Sequence, residues 1–180
     1  MTAEIRIFIT AIFSDNPVFV MPLGALLALM LAGKSGGAGM RAAARVGLIL
    51  MATGLLGGSM VAHSPAALHP LLLAGIACAG IGMLYASGEL RGEWLGLPKA
   101  LTALIPFVAF PLIVARHVQW SMQSAMAAGL GLGFAGACIL LAAAQAAITL
   151  SESARYFKTL PVLLFVMGIV AMVLYGFALL

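Results

Sequence analysis

The sequence predicts an all-α integral membrane protein: six transmembrane helices as two inverted three-helix repeats, the first helix of each repeat broken at a Pro-x4-Pro. Three observations carry this. The 180 residues are 64% hydrophobic and only 8% charged, against about 25% charged in a soluble domain. The apolar runs are continuous rather than alternating, and each is near the about 20 residues that a membrane helix needs. Pro17 and Pro22 in the first run have the same spacing as Pro106 and Pro111 in the fourth. The composition excludes a cytosolic enzyme, a disordered chain and a nucleic-acid binder. It leaves no room for a soluble catalytic domain.

The spans follow in order. Span one runs from about Ile5 to Ala32 and is too long for a cleaved signal segment. Span two covers Ala42 to Ala62, span three Leu68 to Ala86, and span four Leu97 to Ala115. Span five covers Met122 to Leu150 and span six Leu160 to Leu180. Helices are the expected form because lipid supplies no partners for the backbone. The chain reads as one membrane domain, with repeat one over residues 1–87 and repeat two over 92–180.

Lys and Arg set the expected orientation. Loops one, three and five and the adjoining span ends hold Lys34, Arg41, Arg45, Arg91, Lys99, Arg155 and Lys158. The opposite side holds Arg6 and Arg116. The positive-inside rule places those three loops in the cytoplasm and both termini outside, in the cell's inner membrane.

Three spans followed by three spans necessarily invert. Proline inside a helix removes a donor and clashes with the preceding turn, so two prolines five apart are expected to break each first span. Interrupted segments at matching positions of two halves point to a functional centre near the midplane. Asp15-Asn16 directly precedes Pro17, and Asp15 is the only acid well inside a span. An intramembrane carboxylate is a functional candidate by default. Asp15 and Asn16 also suit the cap of a second half-helix, with Pro17 as its first residue. The candidate midplane site is therefore Asp15, Asn16, Pro17, Pro22, Pro106 and Pro111.

These segments resemble the six-helix integral membrane subunits of the Rnf and Nqr electron-transport complexes. The resemblance rests on Asp15-Asn16-Pro17-Val18 through Leu23-Gly24, and on Leu104-Ile105-Pro106. It extends in apolar character over Ser124 to Ala143 and Gly168 to Phe177. It implies a broken inverted repeat and a membrane partner, either a paralogue of opposite topology or a second copy. In that family each break carries one Cys toward a shared [2Fe–2S] cluster, which needs four ligands. Here the corresponding positions are Leu26 and Leu112. The resemblance therefore implies a relative without the cluster-ligating cysteines, holding no cofactor and no metal of its own.

Other polar or small residues have plainer readings. His63, His69 and His117 fall on one predicted side and read as interfacial anchors, with a zinc or copper site as the alternative. Gly54 and Gly58, and Gly129 and Gly133, read as packing seams. Gln145 reads as an interhelical hydrogen-bonding group. Glu89, Arg91, Glu93 and Trp94 form a solvated loop, with docking of a cytoplasmic partner as the alternative. Cys78 and Cys138 read as buried apolar-type residues and the eleven Met mostly as core filler. No nucleophile triad, carboxylate pair or phosphate loop is present in the sequence.

The expected function is a non-catalytic integral membrane subunit of a multisubunit redox or ion-translocating complex. The alternatives are a small inverted-repeat secondary transporter using Asp15, and a structural or assembly subunit of an unrelated membrane complex. The expected partners are the lipid bilayer and other membrane subunits.

Overall fold

The computed structural model describes residues 2–16, 18, 24–32, 36–94, 97–150 and 160–178. Span one is two helices, α1 (Ala3–Phe13) and α2 (Ala25–Ala32). Then come α3 (Gly36–His63), a single 3-10 turn at Ala66–Leu68, and α4 (His69–Ala86). A two-residue antiparallel ladder, Glu93–Trp94 against Leu97–Pro98, links the halves. The chain finishes with α5 (Lys99–Val114), α6 (Trp120–Leu150) and α7 (Leu160–Ala178). Among the described residues, three stretches are long and apolar enough to cross a membrane: Ala38–His63, Ala66–Ala86 and Trp120–Ala147. Lys99–Val114 and Leu164–Val173 are shorter apolar helices.

The core is the α3–α6 pair, which packs along each other more extensively than any other two helices. α1 and α2 lie on α6, α5 lies on α3, α4 packs against α3 and α5, and α7 sits beside α6 and α1. Glycine makes the central crossing possible. A Cβ on Gly47 would lie 2.8 Å from the Gly131 carbonyl oxygen. Phe107, Phe110 and Phe134 fill the interior. Phe110 and Phe134 meet edge to face at 6.4 Å between centroids and 78° between planes, a preferred arrangement of ring quadrupoles.

The glycine seams lie where the four-residue spacing predicts. Gly54 and Gly58 face Phe110 and Val114 of α5. Gly129 and Gly133 face Phe8, Ala11 and Ile12 of α1. Small residues let backbones approach closely, so each seam sets one helix against its neighbour.

Two expectations are corrected. Span four is not broken: α5 runs through both Pro106 and Pro111. Each proline removes one bond, to the carbonyl four residues earlier, and leaves the rest of the ladder intact. Membrane helices tolerate such losses through neighbours and local adjustment. Loop one is also shorter than expected. The glycine-rich stretch from Gly36 to Gly39 is the first turn of α3, which places Arg41 as well as Arg45 within the helix, where only Arg45 was expected. Lys34, Arg155 and Lys158 lie outside the described residues.

Candidate functional site

The break in span one is built by Asn16. The backbone amides of Ser14 and Asp15 both donate to Thr10 O at 2.8 Å, which winds up the end of α1. The Asn16 side-chain amide then donates to Ile12 O at 2.9 Å and to Gly133 O of α6 at 3.3 Å. Its Oδ1 accepts from the Val18 amide at 3.0 Å. This last bond is an Asx turn, in which the side chain replaces the next helical partner. One residue thus closes α1 and ties it to α6.

Gly133 is a condition of that arrangement. A Cβ there would lie 3.2 Å from the Asn16 amide nitrogen and 3.3 Å from Ile12 Cα. Asn16 and Val18 are buried. Asn16 lies as far from the start of α1 as Gly133 lies from the start of α6, roughly 20 Å at 1.5 Å per residue. The helix carbonyl at Ile12 and the buried amide at Val18 therefore find partners deep in the bundle, where leaving either unpaired is costly.

α2 begins only at Ala25, with the Ala28 amide donating to Gly24 O at 2.9 Å. Asn16 closes the first half-helix, and the stretch beginning at Pro17 that it was expected to cap lies largely outside the described residues. Asp15 is half-buried beside Asn16. Pro17 and Pro22 lie outside the described residues. Pro106 and Pro111 are buried within α5. A Cβ on Gly57 of α3 would lie 3.0 Å from Pro111 Cγ, so Pro111 seats on α3 while Asn16 seats on α6. The described contacts do not bring the two proline-bearing segments into one site. Leu26 and Leu112 are 50% and 43% exposed, on the outer faces of α2 and α5.

The remaining polar groups resolve as follows. A ring nitrogen of His63 bonds to Ser59 O at 2.8 Å, and one of His69 to Ser64 O at 3.1 Å. Among the described residues no three His, Cys, Asp or Glu are placed to hold a metal ion. Cys138 is buried, but Cys78 is exposed on α4, contrary to its expected burial. Gln145 was expected to hydrogen-bond between helices; its Oε1 is buried without a partner.

Two residues carry more than their sequence context suggested. Gln123 is fully buried and donates from Nε2 to His117 O at 2.6 Å, which fastens the turn between α5 and α6. Its only sequence signal is a lone amide in the first turn of an apolar helix. Glu89 is not a solvated loop residue: it is 8% exposed, and its Oε1 lies 3.6 Å from Arg45 Nη1. Nothing local announces a partner that stands on another helix.

The fold and these contacts define a class: an all-helical protein carrying apolar helices suited to a membrane. No family model, curated protein or solved structure matches the chain.

Proposed function

We propose that the chain is a six-span, non-catalytic integral membrane subunit of a multisubunit redox or ion-translocating complex, built on two inverted three-helix repeats and holding no iron–sulfur cluster of its own. Support for the repeat comes from the helix neighbours. Exchange span one with four, two with five and three with six. The α3–α6 pair then maps onto itself, and α1 on α6 onto α5 on α3. Likewise α4 on α5 maps onto α7 on α1, and α3 on α4 onto α6 on α7.

One observation carries the scaffold reading over a transporter. Among the described residues of the mid-depth break, Asn16, Val18, Gly24 and Ala25 are buried, and the Asn16 amide bonds to carbonyls of α1 and α6. A coupling-ion site needs ligands turned toward a cavity, whereas these are turned into the packing. Leu26 and Leu112 lie outward, on surface suited to lipid or a partner subunit.

The test is purification in mild detergent followed by identification of what accompanies the chain. Stoichiometric recovery of other membrane subunits, with no iron and sulfide in the isolated chain, is the expected result. Iron with acid-labile sulfide in the isolated chain overturns the cluster-less assignment. The half-burial of Asp15 beside the break favours a second reading, a small secondary transporter. A lone chain whose reconstituted flux is lost in Asp15→Asn establishes that reading and overturns the first.

A further inference from the structure

Among the described residues, two helix faces stand open, one on each flank of the central α3–α6 pair. α4 packs against α3 and α5, and α7 sits beside α6 and α1. On α4 the outer row is Leu71, Gly75, Cys78 and Gly82, all exposed. A Cβ on Gly75 or Gly82 would meet nothing within 4 Å, so the row below Leu71 is a trough. On α7 the outer row is Phe165, Ile169 and Met172, exposed by 69%, 48% and 79%, and Gly176 follows at the next step of the sequence. This second row is a ridge.

The two rows have the same spacing read in opposite directions. From Leu71 to Gly82 the steps are four, three and four residues, and from Gly176 back to Phe165 they are again four, three and four. Alternate steps of four and three keep to one side of a helix and form the seam of a packed pair. In the six-span reading, on which this inference rests, successive spans alternate in direction, so α4 and α7 cross the membrane in opposite senses. Two copies standing the same way up therefore bring the rows together antiparallel. The pairs are then Leu71 with Gly176, Gly75 with Met172, Cys78 with Ile169 and Gly82 with Phe165. A small residue meets a large one at every step. Beside the seam Ala79 meets Gly168, where a Cβ would again find nothing within 4 Å.

We infer that α4 of one copy packs against α7 of the next, so that the chain associates with itself head to tail. Lipid tails are as apolar as leucine, so helices associate in a bilayer through close packing, and small residues mark where backbones approach. Phe165 and Met172 are seven residues apart, as are Gly75 and Gly82, so one pair of side chains enters both gaps of the trough at once. Closed over the four pairs, the contact buries roughly 1,000 Å² in total, near the least that a specific interface needs. Setting α4 on α4 would oppose trough to trough, and α7 on α7 ridge to ridge. Because the two faces differ, the contact is heterologous and generates a row or a ring of copies rather than a closed pair.

Cys78 makes the test direct, since it is exposed in the α4 row while Cys138 is buried. With Ile169→Cys each copy carries one thiol on each face, and facing Cys residues with Cα atoms within about 7 Å can be bridged. The full chain is oxidised with copper phenanthroline in native membranes and separated without reductant. The expected result is a ladder of dimers, trimers and longer species that vanishes when Cys78→Ala is added. Gly75→Leu with Gly82→Leu enter space that the chain itself leaves open, and are expected to lower the linked fraction about tenfold. Linking of the unmodified chain through Cys78, stopping at the dimer, overturns the proposal in favour of a symmetric α4 pair. Equal linking by Leu132→Cys, on the exposed face of α6, overturns it as random collision. No ladder from Ile169→Cys, or a ladder undiminished by the two leucines, leaves both faces to lipid and overturns it as well. A C-terminal tag that proves cytoplasmic overturns the six-span reading itself, and with it the antiparallel register, so the two failures are told apart.

Discussion

Residues 13–25 and residues 105–112 carry the same proline spacing, yet the helix stops in the first and continues through the second. The difference lies in the residue before the first proline. In span one it is Asn16, whose side chain donates to Ile12 O and accepts from the Val18 amide. In α5 it is Ile105, which offers the backbone no alternative. The comparison teaches that proline weakens a membrane helix by one bond, whereas a polar side chain able to substitute for the backbone ends it. Asparagine competes with the helix ladder in this way.

The two segments are also held differently, and this gives the largest expected effect. α1 rests on α6 backbone to backbone: a Cβ on Gly129 would lie 2.5 Å from Ala11 Cβ and 2.7 Å from Phe8 O. On the α3–α5 seam the room varies along the helix: a Cβ on Gly58 would lie 2.6 Å from Val114 Cγ1, whereas one on Gly54 would lie 3.5 Å from Phe110 Cβ. Gly129→Ala is expected to cost about 3 kcal/mol, the upper part of the overpacking range. Gly54→Ala is expected to be neutral or to gain up to about 1 kcal/mol from helix propensity. Unfolding in detergent, followed by circular dichroism, measures both. Equal destabilisation would erase the distinction between a closed position at Gly129 and an open one at Gly54.

Asn16 itself gives the next effect. Asn16→Ala strands the buried Val18 amide and removes the tie to Gly133, at an expected cost of about 2 kcal/mol. Asn16→Asp separates the two halves of that role. An ionised Asp accepts from Val18 but cannot donate to Ile12 O or Gly133 O. If the tie to α6 matters, the Asp variant is destabilised at least as much as the Ala variant. If it retains full stability in the same unfolding measurement, the turn alone sustains the break.

The helices were legible because apolar continuity is a property of each segment by itself. The seams were legible for the same reason: Gly54 with Gly58 and Gly129 with Gly133 declare a helix face by spacing alone. What escaped depends on partners distant in sequence. Glu89 reads as loop until Arg45 is placed beside it, and Gln123 draws no reading until the turn at His117 folds over it. The matched prolines misled because the repeat was sought in the residue that weakens a helix rather than in the one that ends it. Within the candidate site, Asn16 stands out in the sequence, whereas Gly133 declares only a seam. Its carbonyl gains its meaning once α1 is laid against α6.

The smallest expected effect is the most direct test of that account, because it transplants the device. Ile105 is 48% exposed and directly precedes Pro106. Ile105→Asn recreates Asn-Pro in α5 without opening a cavity in the core. If the Asx turn ends the helix, the variant loses about one turn of helix by circular dichroism, at a cost of about 1 kcal/mol against the intact ladder. Ile105→Gln is the control: it is equally polar, but its longer side chain is a poor match for the Asx turn, and it should preserve helicity. Equal loss in both variants would trace the effect to polarity in an apolar helix. Full helicity in Ile105→Asn would mean that Asn-Pro does not suffice. The break in span one would then be imposed by the packing of α1 on α6, with Asn16 fitted to a turn already made.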